Sequence, residues 1–170
     1  MASIRAYENY PVRTMILSNL VSLTVYLLGF LIILRLGLVF SLLFLGYVLA
    51  LEYRLLRYHC PNCYYWGKNC AFGKGKLSSL FFKKGDPAKF CVREMTWKDM
   101  IPDMLLTLIP LIIGIVLLIL HFDLIMLAAV LFLVLLTTSG NGYIRGTLAC
   151  RYCKQRASGC PAAELFKMKT

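Results

Sequence analysis

The sequence predicts an all-α membrane protein whose four transmembrane helices form two tandem helical hairpins, with cytoplasmic cysteine motifs at the hairpin ends. The first observation behind this prediction is composition: 59% of the residues are hydrophobic and the mean hydropathy is +0.70, whereas soluble domains are about 45–50% apolar. The second observation is that a three-cysteine pattern occurs twice along the chain.

The excess of apolar residues lies in four long blocks. A bilayer core of about 30 Å is crossed by about 20 helical residues, and four runs approach this length: 15–34, 36–53, 103–120 and 122–138. Since none alternates like a strand, helices are favoured. None carries the polar stripe of a helix in a soluble bundle. The first run lacks a small-residue cleavage site, so we interpret it as a retained helix and not as a signal peptide.

Positive charge is concentrated on one predicted side of the membrane. The net charge is +11, and of the 19 Lys and Arg residues only Arg35 lies in a hairpin turn on the opposite side. Lys and Arg are retained on the cytoplasmic side during insertion. We therefore predict a multi-pass protein of the cell membrane with both termini in the cytoplasm. Membrane insertion explains the charge, and we expect no nucleic-acid partner.

The central segment between the second and third helices combines apolar and basic residues. Residues 77–82 are mainly apolar and precede Lys83 and Lys84, a pattern typical of the lipid interface. Trp97 lies where an interfacial anchor is expected, just before the third span. These features predict contact with the bilayer, through anionic lipid head groups or a membrane partner subunit.

The cysteines reveal an internal repeat. Cys60, Cys63 and Cys70 have the spacing Cys-x2-Cys-x6-Cys, and the same spacing returns 90 residues later, at Cys150, Cys153 and Cys160. The chain therefore divides into repeat 1 (1–75), an interfacial linker (76–103) and repeat 2 (104–170). Because each repeat contains two spans, the predicted symmetry is a pseudo-two-fold axis along the membrane normal.

These six cysteines are candidate metal ligands. Cytosolic thiols stay reduced, and two thiolates separated by two residues can bind one zinc ion from a single turn. Neighbouring cations, such as Arg57, Lys68 and Lys154, favour the thiolate form. His59 and Cys91 are possible extra ligands, although neither has a counterpart in the other repeat.

Three metal arrangements remain open. One zinc ion would be bound by the two Cys-x2-Cys pairs, or two zinc ions would share all six thiolates. The cysteine spacing, present twice, resembles that of the binuclear zinc cluster of fungal transcription factors. This resemblance is confined to the cysteines and implies that Cys60 and Cys150 bridge the two ions of the second arrangement. In the third arrangement each motif binds an iron–sulfur cluster; Cys160-Pro161 is similar to the ending of bacterial ferredoxin motifs.

The sequence favours a non-enzymatic function, because the spans carry no charge near the bilayer centre and no catalytic motif is present. The leading hypothesis is a metal centre, with zinc as the cofactor, that clamps two helical hairpins and forms a basic platform. The alternatives are an iron–sulfur subunit of a membrane redox complex, a metal transporter and a thiol-redox enzyme.

Overall fold

The computed structural model describes residues 6–87 and 97–158, with side chains at 6–87 and 100–156. Throughout these residues every regular element is helical, which confirms the predicted all-α class. The main helices are α1 (Val12–Leu34), α2 (Leu38–Arg54), α3 (Lys74–Phe81), α4 (Trp97–Leu120) and α5 (Leu124–Leu135).

Within the described residues, four helical stretches are long and apolar enough to cross a membrane, as predicted: Val12–Leu34, Leu38–Asn62, Met100–Leu120 and Leu124–Tyr152. The second and fourth extend further than the sequence pattern indicated. The fourth run was predicted to end at residue 138, before Ser139-Gly140-Asn141-Gly142, and this end is wrong: α5 continues through a π-helix (Leu136–Gly140), a short α segment (Asn141–Tyr143) and a second π-helix (Ile144–Ala149). In an apolar helix, leaving backbone groups unpaired costs more than the low helix propensity of glycine.

Residue contacts divide the chain into two compact units. Unit 1 comprises Met1–Asn19, Tyr53–Met95 and Gly142–Thr170, and unit 2 comprises Leu20–Glu52 and Thr96–Asn141. The described part of unit 1 therefore contains both Cys-x2-Cys pairs and α3. Unit 2 contains most of the apolar helical sequence, including both hairpin turns. The division into repeats stays a prediction.

The two hairpin turns of unit 2 lie beside each other. Gly37 completes the first turn with φ +128°, a conformation that favours glycine. Asp123 caps the N-terminus of α5 by accepting a hydrogen bond from the Ile125 N–H at 3.0 Å. Arg35, from the first turn, forms an ion pair with Asp123 at 3.1 Å. Both hairpins thus turn at the same end of unit 2.

The interior of unit 2 is apolar, and much of its surface is apolar too. Val25, Ile32, Met126, Val130 and Leu133 form its largest buried cluster. Facing outward, many leucine, isoleucine and valine side chains are exposed, including Leu43 at 66% and Ile119 at 78%. Such an exterior is suited to lipid and not to water.

Gly114 allows close packing inside this cluster. A Cβ atom at Gly114 would lie 2.5 Å from Val130 Cγ2 and 3.4 Å from Ile32 Cγ2. Small residues at such positions let membrane helices approach each other closely. At Gly46, in α2, a Cβ atom would meet nothing within 4 Å. The two glycines therefore form a matched pair for substitution.

We expect Gly114→Leu to destabilise the protein by about 1–3 kcal/mol or more, because the added side chain overfills a packed core. Gly46→Leu should change stability much less. Thermal unfolding in detergent, followed by near-ultraviolet circular dichroism, measures both. Equal effects of the two substitutions would show that Gly114 does not lie at a tight helix contact.

Candidate metal centre

The two Cys-x2-Cys pairs share one local backbone conformation. Each follows a π-helix and begins a 3-10 turn, at Cys60–Asn62 and at Cys150–Tyr152. In both pairs the N–H of the second cysteine donates to the carbonyl of the first, over 3.2 Å and 3.3 Å. The second cysteine is extended in both cases, with φ/ψ of −85°/147° at Cys63 and −81°/123° at Cys153. The same turn is therefore built twice, 90 residues apart.

Both cysteine motifs pack against one buried cluster in unit 1. This cluster, called here the aromatic core, consists of Tyr10, Tyr65, Ala71 and Ala149, all less than 5% exposed. The side chains packed around it include Cys63, Cys70 and Cys153. Unit 1 thus brings together two cysteines of the first motif and one of the second. Cys60 and Cys150, which begin the two turns, are half-buried.

The segment that precedes α1 is bonded to both motifs. The Tyr10 N–H donates to the Asn69 carbonyl at 2.9 Å, while the Tyr10 hydroxyl donates to the Ala149 carbonyl. The Tyr7 N–H donates to the Tyr152 carbonyl at 3.0 Å. Since Asn69 lies in the first motif and the other two carbonyls lie in or beside the second, this segment connects the motifs.

Two direct hydrogen bonds also join the motifs. The Lys154 N–H donates to the Tyr65 hydroxyl at 2.9 Å, and that hydroxyl donates to the Tyr7 carbonyl at 2.7 Å. The Tyr64 N–H donates to Oε1 of Gln155, an almost fully buried side chain, at 2.7 Å. Buried polar groups that bond each other in this way fix the relative position of their segments.

A small charged cluster covers one side of this region. The Tyr64 hydroxyl donates to Glu8 Oε2 at 2.8 Å, and the ammonium groups of Lys68 and Lys154 lie 3.2 Å and 3.4 Å from the same hydroxyl oxygen. Glu8 also pairs with both lysines. These ions are partly exposed, so we expect each pair to contribute at most about 1 kcal/mol.

The buried phenols next to the cysteines are neutral at physiological pH. Burial, to which the neighbouring Cys153 adds, raises the pKa of Tyr65 to about 12 despite the opposing hydrogen bond from the Lys154 N–H. Burial likewise raises the pKa of Tyr10, and the nearby Cys153 and Cys150 contribute to this increase. Negative charge on the thiols and on the phenols is mutually unfavourable, so the phenols stay protonated where the cysteines become thiolates.

Cys70 is connected to the start of α3. The Gly75 N–H donates to Cys70 Sγ at 3.3 Å. Glycine is required here by close approach, because a Cβ atom at Gly75 would lie 2.2 Å from the Tyr65 carbonyl oxygen. The first turn of α3 thus packs directly on the backbone beside the aromatic core.

The donor chemistry fits zinc, while the described residues alone do not complete a site. Thiolates are strong zinc ligands, and the Cys-x2-Cys turn is a common way to present two of them. Within 6–87 and 97–158, no three His, Cys, Asp or Glu side chains form a group that could hold a metal ion. Two of the predicted ligands, Cys160 and the possible extra ligand Cys91, lie outside the described residues.

The remaining predicted site residues are placed as follows. His59 ends the π-helix before Cys60, and the equivalent position of the second motif is the buried Ala149. Lys83 and Lys84 are exposed just after α3. Trp97 is the first residue of α4, and its side chain lies outside the described side chains.

The sequence interpretation missed the tyrosines that hold the motifs together. Tyr64, Tyr65 and Trp66 directly follow Cys63, and this aromatic run was a visible signal of a buried core beside the cysteines. No comparable signal distinguishes Tyr7, Glu8 and Tyr10, whose partners Tyr152, Lys154 and Ala149 lie in or beside the second motif.

Comparison with known proteins finds no matching family model, no similar curated protein and no similar solved structure. A function for this chain is therefore inferred from its own residues.

Proposed function

We propose that this protein is a non-enzymatic membrane protein in which a cysteine-bound zinc centre clamps two helical hairpins and supports a basic cytoplasmic platform. The residues that would hold zinc are the two Cys-x2-Cys pairs, with Cys70 and Cys160 as further ligands if two ions are bound. The observation that carries the proposal is that two identical cysteine turns pack against one aromatic core.

Zinc would contribute folding energy at this place. Besides packing against the aromatic core, the two motifs are joined by part-buried hydrogen bonds and by a partly exposed charge cluster. In zinc-finger peptides the apparent binding energy of structural zinc is about 10–16 kcal/mol at pH 7, and this energy becomes folding energy. A metal bound between the motifs would hold their segments, and the helices that lead into them, in one arrangement.

The charge distribution supports a cytoplasmic platform that contacts lipid or a partner subunit. In the described part of unit 1, only Glu8 and Asp86 are acidic, against twelve Lys and Arg residues. In unit 2 the described basic residues are Arg35 and Lys98. Positive segments are retained in the cytoplasm, where they attract anionic lipid head groups or an acidic partner surface. The cell membrane is the proposed location.

Metal analysis of the purified full chain tests the metal proposal. We expect zinc at one or two ions per chain, measured by mass spectrometry of the elements after exhaustive dialysis against a weak chelator. Two ions would favour the binuclear cluster and one the four-cysteine site. The Tyr143→Ala variant, which alters an exposed residue of unit 1 outside every proposed ligand set, should retain the full metal content.

Two outcomes would contradict the zinc centre. Iron with acid-labile sulfide, in a brown preparation, would favour the iron–sulfur alternative, since zinc proteins are colourless. A stable preparation that contains no metal, even when zinc is supplied during expression and purification, would contradict any metal centre in this protein.

A further inference from the structure

Helix α3 has its apolar face on the outside. Leu77, Leu80 and Phe81 are 44%, 75% and 72% exposed, and their spacing places them on one helical face. The buried residues of the same helix are Gly75 and Ser78, which are small. An amphipathic helix on a water-soluble protein would be oriented the other way. This face therefore needs an apolar environment.

The buried face of α3 is fixed to the end of a membrane-spanning stretch. The Ser78 hydroxyl donates to the Leu56 carbonyl at 3.0 Å, and Leu56 belongs to the span Leu38–Asn62. Phe82, which follows α3, packs edge-on against Tyr53 with 6.0 Å between ring centroids. Tyr53 and Tyr58 are each 51% exposed on that span, and exposed tyrosines are typical of the membrane–water interface. The contacts place α3 beside the last turns of a spanning helix.

The charges around this face match an anionic surface. Lys76, Lys83 and Lys84 are exposed within or just after α3, and the one acid between residues 74 and 87 is Asp86. Long lysine side chains can reach head groups while neighbouring apolar side chains enter the acyl region. A second protein would have to bring its own apolar and acidic surface, whereas a bilayer that contains the spans offers both.

From these contacts we infer that α3 is an interfacial membrane helix, whose Leu77, Leu80 and Phe81 enter the bilayer while Lys76, Lys83 and Lys84 bind anionic lipid head groups. The inference makes specific the lipid-binding part of the proposed function and does not require the metal. Because the Gly75 N–H donates to Cys70 Sγ, the helix that contacts lipid is bonded directly to a candidate metal ligand.

Depth-dependent fluorescence quenching tests the apolar face. The full chain carrying Phe81→Trp is reconstituted in phosphatidylcholine nanodiscs, with and without phosphatidylserine, and the signal of the unsubstituted chain is subtracted. We expect lipid with a nitroxide near the head-group end of its acyl chain to quench the new tryptophan several-fold more than aqueous iodide does. Asp86→Trp, at an exposed position after α3, should show the reverse. Greater quenching by iodide, or shielding from both quenchers by a protein neighbour, would overturn the inference.

Lipid selectivity tests the lysines. Nitroxide-labelled phosphatidylserine should quench the Phe81→Trp reporter more than labelled phosphatidylcholine. Each lysine near an anionic surface contributes about 1 kcal/mol, or roughly fivefold in affinity. Lys83→Gln with Lys84→Gln should therefore abolish most of this preference, as should high salt. An unchanged preference would overturn the head-group assignment. Zinc content, measured on the same samples, should stay at the wild-type level, so the metal and lipid proposals can fail separately.

Discussion

Replacing Tyr65 with alanine is expected to cost about 3–5 kcal/mol of stability, the range found when a buried aromatic side chain is removed. Tyr65 is 2% exposed and packs against Tyr10 and Tyr64, with ring centroids 5.3 Å and 5.2 Å away. The substitution also removes the partner of the Tyr7 carbonyl and of the Lys154 N–H. The midpoint of pulse proteolysis in urea, on the full chain in detergent, measures the loss.

Two further variants separate packing from hydrogen bonding at this position. Tyr65→Phe retains the ring and should cost only about 1–3 kcal/mol, because it leaves two part-buried backbone groups without their hydroxyl partner. Tyr143→Ala removes a tyrosine of unit 1 that is 59% exposed, and it should stay within about 0.5 kcal/mol of wild type. If Tyr65→Ala were as mild as Tyr143→Ala, the aromatic core would not join the two motifs.

Much of the fold was predictable because span length and apolarity are local properties of the chain. Four runs of about 20 apolar residues indicate four helices whatever tertiary contacts they make. The very short turns at Arg35 and Asp123 indicate hairpins. The bounds of the second and fourth spans were not predictable in this way. Glycine and asparagine at 140–142 are local stop signals, and the helix overrides them by widening into π-helical turns.

The interior of the candidate site depended on contacts between distant segments. The cysteine spacing occurs twice, and the backbone at Cys60–Asn62 and Cys150–Tyr152 is similar; the tandem hairpin repeat stays a prediction. What the spacing does not contain is the environment of the thiols. That environment is set by Tyr10 and Gln155, whose partners belong to other parts of unit 1. Metal binding by these cysteines stays a prediction.

Cys63→Ser and Cys153→Ser are expected to destabilise the protein by similar, large amounts. Each serine removes one thiolate from the proposed centre, which should cost several kcal/mol of the about 10–16 kcal/mol that structural zinc supplies in zinc-finger peptides. Without metal, a cysteine substitution at a half-buried site would cost nearer the average of about 1 kcal/mol. Urea unfolding of the zinc-loaded proteins, followed by pulse proteolysis, compares the two variants.

A strong chelator provides the internal control for this comparison. Once zinc is removed, wild type and both variants should converge to similar stabilities, because the lost thiolate no longer has a metal to bind. Tyr143→Ala should match wild type with or without the chelator. A large difference between Cys63→Ser and Cys153→Ser in zinc would contradict a centre shared equally by the repeats. A difference from wild type that persists in the chelator would instead show that the two cysteines stabilise the protein by packing against Tyr65. Both Cys63 and Cys153 lie close enough to Tyr65 to raise its pKa.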